Sequence, residues 1–100
     1  MGNKLSKTEI KKAVALKYNN LKDAVPKIAA SGKGILADKI LELAEEQNIA
    51  IYRDPGLVDA LVQFDIGQEI PPELYQAVAE ILAFIYTVDL LNSPNSNSND

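Results

Sequence analysis

The chain has no cysteine and no histidine. The first absence excludes disulfide frameworks, thiolate metal sites and cysteine nucleophiles. The second removes the commonest general base and the commonest metal ligand together. An enzyme of this composition would have to run on carboxylates, lysine, tyrosine or hydroxyls, so the expectation is a protein without catalysis, metal or cofactor. Long apolar runs are also missing. The longest, "ILAFIY" at Ile81–Tyr86, falls far short of the roughly 18 residues that a membrane span needs. At the N-terminus Lys4, Lys7, Lys11 and Lys12 interrupt any signal-peptide core. A soluble, cytoplasmic protein with no membrane insertion is expected.

What is present suits one small domain. One hundred residues with 47% hydrophobic content can bury roughly 65% of the unfolded surface around a packed core. Charge is divided along the chain: residues 1–33 hold eight lysines against Glu9 and Asp23, and the remainder holds Lys39 and Arg53 against twelve acids. A basic head suggests a small nucleic-acid or anionic-surface binder as an alternative function. Its lysines are spread over a leader, a strand and a loop, with no arginine and one aromatic among them. Phosphate binding needs a more concentrated patch, so no nucleic-acid partner is expected.

Residues 1–10 read as a basic flexible leader, 11–91 as the domain, and 92–100, "NSPNSNSND", as a polar disordered tail. The stretch "SKTEIKKAVALKYNN" satisfies two periods at once. Ser6-Lys7-Thr8-Glu9 matches a helix capping box, while Val14, Leu16 and Tyr18 alternate as in a half-buried strand. Propensity leaves both open. "AVPKIAAS" reads as a strand entered through Pro26, and Ser31-Gly32-Lys33-Gly34 as the turn into a helix over "ILADKILELAEEQN". In that helix Leu36, Ile40, Leu43 and Ala44 are expected to face the core, Asp38, Glu42, Glu45 and Glu46 the solvent, and Asn48 to end it. "IAIYR" reads as a third strand. Asp54-Pro55 starts a short helix with the inward stripe Leu57, Ala60, Leu61 and Phe64. A last helix runs from about Pro72 to Leu90, burying Leu74, Val78, Ile81, Ile85 and Val88. The predicted fold is α/β: a small mixed sheet of about three strands surrounded by three helices, in the order β–β–α–β–α–α.

No motif assembles chemistry. Gly32-Lys33-Gly34 resembles a phosphate loop only weakly, lacking the upstream glycine spacing and the Ser/Thr for Mg²⁺. The acids of the first helix form a solvated face rather than a metal cluster. Glu73 sits in a first helical turn, where a carboxylate complements the dipole. The unabsorbed feature is apolar: Val25, Pro26, Tyr75, Ala79, Leu82, Phe84 and Tyr86 do not fall on one buried stripe. Either a helix is buried on more than one side, or a patch is exposed for a partner.

Two stretches go further. "AVALKYN" followed by "PKIAASGKG", and "DIGQEIPPELYQAVAEILAFIY", closely resemble the cytoplasmic C-terminal domain of the FlhB/YscU family, the substrate-specificity switch of flagellar and injectisome type III secretion. "ILADKILELAEEQNIAIYRDPGLVDAL" between them matches the family's helix–strand–Pro–helix order, so the resemblance covers roughly residues 13–88. It implies that "AVALKY" is a strand, which propensity alone does not decide. It also implies a function: a non-enzymatic module docking export substrates or export-apparatus proteins, in place of or in competition with the FlhB cytoplasmic domain. Peripheral association with the export gate would go with that role.

The family's apolar docking patch, carried over position by position, falls on Val25, Pro26, Ala79 and Leu82. Two departures are expected to matter. Relatives carry an N-terminal membrane domain, and this chain looks like a freestanding counterpart of their cleaved C-terminal fragment. Relatives also carry Asn-Pro-Thr-His before the strand, where the asparagine cyclises and cuts the chain. Thr8, Glu9, Ile10 and Lys11 stand at those positions here, so self-cleavage is not expected.

Overall fold

A computed structural model describes residues 10–19 and 21–92 of the chain. The capping box at Ser6–Glu9, the leader up to residue 9 and the tail beyond 92 lie outside the described residues. The chain divides into two units, Met1–Ile70 and Pro71–Asp100.

The first unit is built on an antiparallel pair, β1 (Lys12–Lys17) and β2 (Lys27–Lys33). The ambiguous "AVALK" stretch is therefore a strand. Lys12 pairs with Lys33, Ala13 with Gly32 and Val14 with Ser31; the register then shifts between Ala15 and Leu16, so that Leu16 stands opposite Ile28. Ala29 has no opposite residue, which is the count of a β-bulge and bends the strand locally.

β2 extends through Ser31, Gly32 and Lys33, three residues expected in the turn. The turn is Gly34 alone, at φ 60° and ψ −123°, a conformation that glycine adopts at least cost. Its N–H donates to the Lys11 carbonyl at 2.8 Å and its carbonyl accepts from Asp38 N at 3.1 Å. One residue thus closes the ladder and opens the helix.

Helix α1 (Ile35–Glu46) packs across both strands. Its end is a Schellman motif around Asn48, which stands at φ 57°. The Ile49 N–H reaches the Ala44 carbonyl at 2.8 Å and the Asn48 N–H the Glu45 carbonyl at 3.2 Å. The expected stop is confirmed, but the expected inward face is rotated. Ala37 is fully buried, Ile40, Leu41 and Ala44 are half-buried, and Leu36 and Leu43 are exposed, at 59% and 53%. Amphipathic spacing defines a stripe, whereas the Gly34 turn and the sheet beneath set how far the helix is rolled about its axis.

The third strand is also corrected. Residues 49–54 run on without strand pairing, and Ile49 and Ile51 are exposed. The outer edge of β2 is held instead by Gly67–Ile70. Ile28 N–H donates to the Gln68 carbonyl at 2.8 Å, Gly67 N–H to the Ile28 carbonyl at 2.7 Å, and Ile70 N–H to the Pro26 carbonyl at 3.1 Å. Lys27 and Glu69 form an isolated antiparallel bridge. The α/β class stands, with a two-stranded antiparallel sheet and three helices among the described residues, in the order β–β–α–α–α.

Helix α2 (Pro55–Leu61) begins as expected, with the Asp54 carboxylate accepting from Leu57 N–H at 3.1 Å and proline at the first position. It packs on β1; of the predicted stripe Leu61 is buried, Leu57 and Ala60 are half-buried, and Phe64 falls just past the helix end. Among the described residues of this unit, Ala13, Ile28, Ala37, Leu61 and Ile70 are buried and form its apolar core.

In the second unit a 3₁₀ turn, Pro72–Leu74, leads into α3 (Tyr75–Asn92). Val78 is buried, and Leu74, Ile81 and Ile85 are half-buried, on the line the spacing predicted. The side chain of Val88 is not among those described. No helix among the described residues is long and apolar enough to cross a membrane.

Candidate docking surfaces

Val25 and Pro26 end the loop between the strands. Asn19 organises that loop: its Oδ1 accepts from Leu21 N–H at 2.9 Å, and its carbonyl accepts from the N–H groups of Lys22 (3.0 Å) and Asp23 (2.7 Å). Asp23 Oδ2 in turn accepts from Asn19 N–H at 2.9 Å. This is an Asx-type turn closed from both ends. The chain then bends at Ala24 and Val25 into β2. Val25 is half-buried and Pro26 is buried, its carbonyl engaged by Ile70. Pro26 therefore shapes the loop rather than offering surface.

Ala79 and Leu82 lie three residues apart on α3 and share a face of it. Ala79 is exposed and Leu82 half-buried. Tyr75, Phe84 and Tyr86, the residues that did not fit a buried stripe, are exposed. The first unit carries further exposed apolar residues on α1: Leu36 and Leu43, which spacing had assigned to the core, and Ile35.

The charged groups do not converge on a reactive centre. Lys11 Nζ meets Asp38 Oδ1 and Lys12 Nζ meets Asp59 Oδ1, each at 2.7 Å. Asp38, read as a purely solvated acid, thus takes a cation from β1's entry. Two lysines of the basic head are thereby neutralised locally. Among the described residues no group of three metal-ligating side chains comes together, and no buried side-chain nitrogen or oxygen lacks a partner. Gly32 and Lys33, the core of the weak phosphate-loop match, are strand residues, and Gly32 is buried beneath Leu36. Of the four positions that the resemblance aligns with the family's Asn-Pro-Thr-His, Ile10 and Lys11 are described and exposed, while Thr8 and Glu9 lie outside the described residues.

Among the described residues the exposed side chains include several large apolar ones, and the charged groups are paired with one another or solvated. The comparisons with known proteins give the chain a family. The model of the FlhB HrpN YscU SpaS family matches residues 10–85, and the chain belongs to that family. The flagellar biosynthetic protein FlhB of Aquifex aeolicus is 49% identical over 74 residues, covering 73% of this chain and 21% of that protein. The uncharacterized protein YlqH of Bacillus subtilis is 43% identical over 82 residues, covering 82% of this chain and 88% of its own length. The chain thus spans about a fifth of the FlhB protein it matches and most of YlqH. Among solved structures, the PscU C-terminal domain superposes with a TM-score of 0.71 at 28% identity, over 74% of this chain and 95% of that domain. The native SpaS C-terminal domain shares the fold, with a TM-score of 0.75 at 15% identity over 79% and 92% of the two chains.

Proposed function

We propose that this chain is a non-enzymatic interaction module of type III protein export. It docks export substrates or export-apparatus proteins, in place of or in competition with the cytoplasmic domain of FlhB. The observation that carries this reading is that the family match falls on the C-terminal fifth of FlhB while the most conspicuous free surface is apolar. Docking uses two apolar surfaces, one in each unit: Val25, supported from beneath by Pro26, and Ala79 with Leu82. Lysines outside the two ion pairs, Lys17, Lys22, Lys27 and Lys33, steer acidic partners towards the first unit. The chain works without cutting itself, because Thr8-Glu9-Ile10-Lys11 offers no asparagine to cyclise.

Purified chain should bind purified export substrates or soluble apparatus domains and displace them from the FlhB cytoplasmic domain. Val25→Asp combined with Ala79→Asp should weaken that displacement at least about tenfold, the scale of a buried interface anchor. These positions are half-buried and exposed, so the variant keeps its fold. Unchanged displacement would sink the surface assignment. A single intact mass after prolonged incubation supports the absence of self-cleavage, and a loss corresponding to a cut near Thr8 refutes it.

A further inference from the structure

The two-stranded sheet has one closed edge and one open edge. On β2 the outward groups of Pro26 and Ile28 are taken by Gly67–Ile70. On β1 the direction of the backbone groups alternates along the strand, as in any antiparallel pair. Gly34 N–H donates to the Lys11 carbonyl, so Lys11–Gly34 is a bonded pair, and with it Ala13–Gly32 and Ala15–Ala30, two and four residues on. Past the bulge, Ile28 turns its N–H to Gln68 and its carbonyl to Gly67, so Leu16 opposite it is not bonded to β2. Lys12, Val14 and Leu16 therefore direct their N–H and C=O groups away from β2. Among the described residues none of these groups finds a hydrogen-bond partner, and residues 49–54, the third strand that the sequence suggested, do not supply one.

A row of open donors and acceptors along an apolar strand is a template for another strand. Between its terminal lysines β1 reads Ala-Val-Ala-Leu, with no proline, glycine or charge to interrupt pairing. Charge then decides what kind of strand fits. A second copy would satisfy all three residues with Val14 against Val14, but that register sets Lys11 against Lys17 at both ends, like charges directly opposite. Lys11 and Lys12 are already held by Asp38 and Asp59, whereas Lys17 is exposed and outside both ion pairs. Its neighbour across the ladder is another cation, Lys27, which has Glu69 on its far side. Lys17 is thus the unmatched charge at the open edge.

We infer that the outer edge of β1 takes an added antiparallel strand from another protein: an extended segment, apolar along Ala13–Leu16, with an aspartate or glutamate where it passes Lys17. Antiparallel pairing is the stabler kind per residue, and it puts that acid near the segment's N-terminal end. This edge is separate from the two docking surfaces and owes nothing to the export reading, which survives if the edge takes no strand.

Hydrogen exchange of the full chain, alone and with a designed peptide, tests the assignment. The peptide has about eight residues, glutamate near its N-terminus followed by alternating valine and threonine, and its twin carries lysine for glutamate. In the free chain the amides of Lys12, Val14 and Leu16 should exchange at least about tenfold faster than those of Ala13 and Ala15. The glutamate peptide should slow those three amides, and the lysine twin should bind at least about fivefold more weakly. Lys17→Glu should invert that preference; it faces Lys27 with an opposite charge, so the fold is kept. Methylating the peptide nitrogens that face β1 should weaken binding at least about tenfold, and methylating the alternate, outward nitrogens should not.

No slowing of the three amides at about 1 mM glutamate peptide would overturn the inference. Equal binding of the twins, or equal loss from both methylations, would do so too. Slow exchange of Lys12, Val14 and Leu16 in the free chain would mean that the chain covers this edge itself, and that outcome also overturns it.

Discussion

An added Cβ at Gly32 would lie 2.6 Å from the Leu36 Cβ, whereas one at Gly34 would meet nothing within 4 Å. Gly34 is needed for its backbone, at φ 60°, and Gly32 for the close approach of α1. Gly32→Ala should cost about 1–3 kcal/mol through overpacking, and Gly34→Ala about 1–2 kcal/mol through left-handed strain. Urea unfolding of a double-mutant cycle separates the causes. In a Leu36→Gly background most of the Gly32→Ala penalty should vanish, and the Gly34→Ala penalty should persist. If both persist, the close contact is not what keeps Gly32 a glycine. A similar contrast holds among the acids. Asp54 satisfies an otherwise orphaned helix N–H, so Asp54→Ala should cost about 1 kcal/mol. Asp38 pairs with Lys11 where both side chains are more than half exposed, and Asp38→Asn should cost less than about 1 kcal/mol.

Among the elements, the two ends of α1 differ in how they are specified. The C-terminal end depends on Asn48 in the left-handed region, one of the few places a non-glycine residue tolerates it. Asn48→Ala should lower stability by about 1 kcal/mol while Asn48→Gly holds it, since only the former adds steric strain. An equal loss in both would point to the Asn48 side chain instead. The closure of β2 by Gly67–Ile70 predicts slow hydrogen exchange at the amides of Ile28 and Ile70, comparable to the β1–β2 ladder. Local signals were enough for Asp54-Pro55, Asn48 and the α3 buried line, because each depends on neighbours within a turn or two. The roll of α1 and the fate of "IAIYR" were not legible. Leu36 and Leu43 lie on the surface because the Gly34 turn fixes the helix against the sheet. Residues 49–54 stay unpaired because "GQEI", far along the chain, occupies the outer edge of β2. Such choices are made by long-range pairing, which periodicity does not encode.

For the molecule as a whole, the apolar surface was legible as a residue surplus before any residue had a position. Spacing showed that Val25, Pro26, Tyr75, Ala79, Leu82, Phe84 and Tyr86 could not all fall on one buried stripe, leaving burial on two sides or an exposed patch, and the family resemblance singled out Val25, Pro26, Ala79 and Leu82. Burial divides those four: Pro26 supports, and Ala79 is open. The split between a basic head and an acidic remainder then assigns separate kinetic roles. Charges at the rim of an interface act mainly on the rate of encounter, and packed aromatic anchors on the rate of escape. For an acidic partner steered by Lys17, Lys22, Lys27 and Lys33, raising salt from about 0.05 to about 0.5 M shortens the reach of the lysines from about 13 to about 4 Å. Surface plasmon resonance should show the association rate falling several-fold with a nearly constant dissociation rate. Leu82→Ala should do the reverse, raising dissociation and sparing association. Salt acting on dissociation instead would mean that these lysines are buried partners in the complex, and the apolar surfaces would lose their place as the anchor.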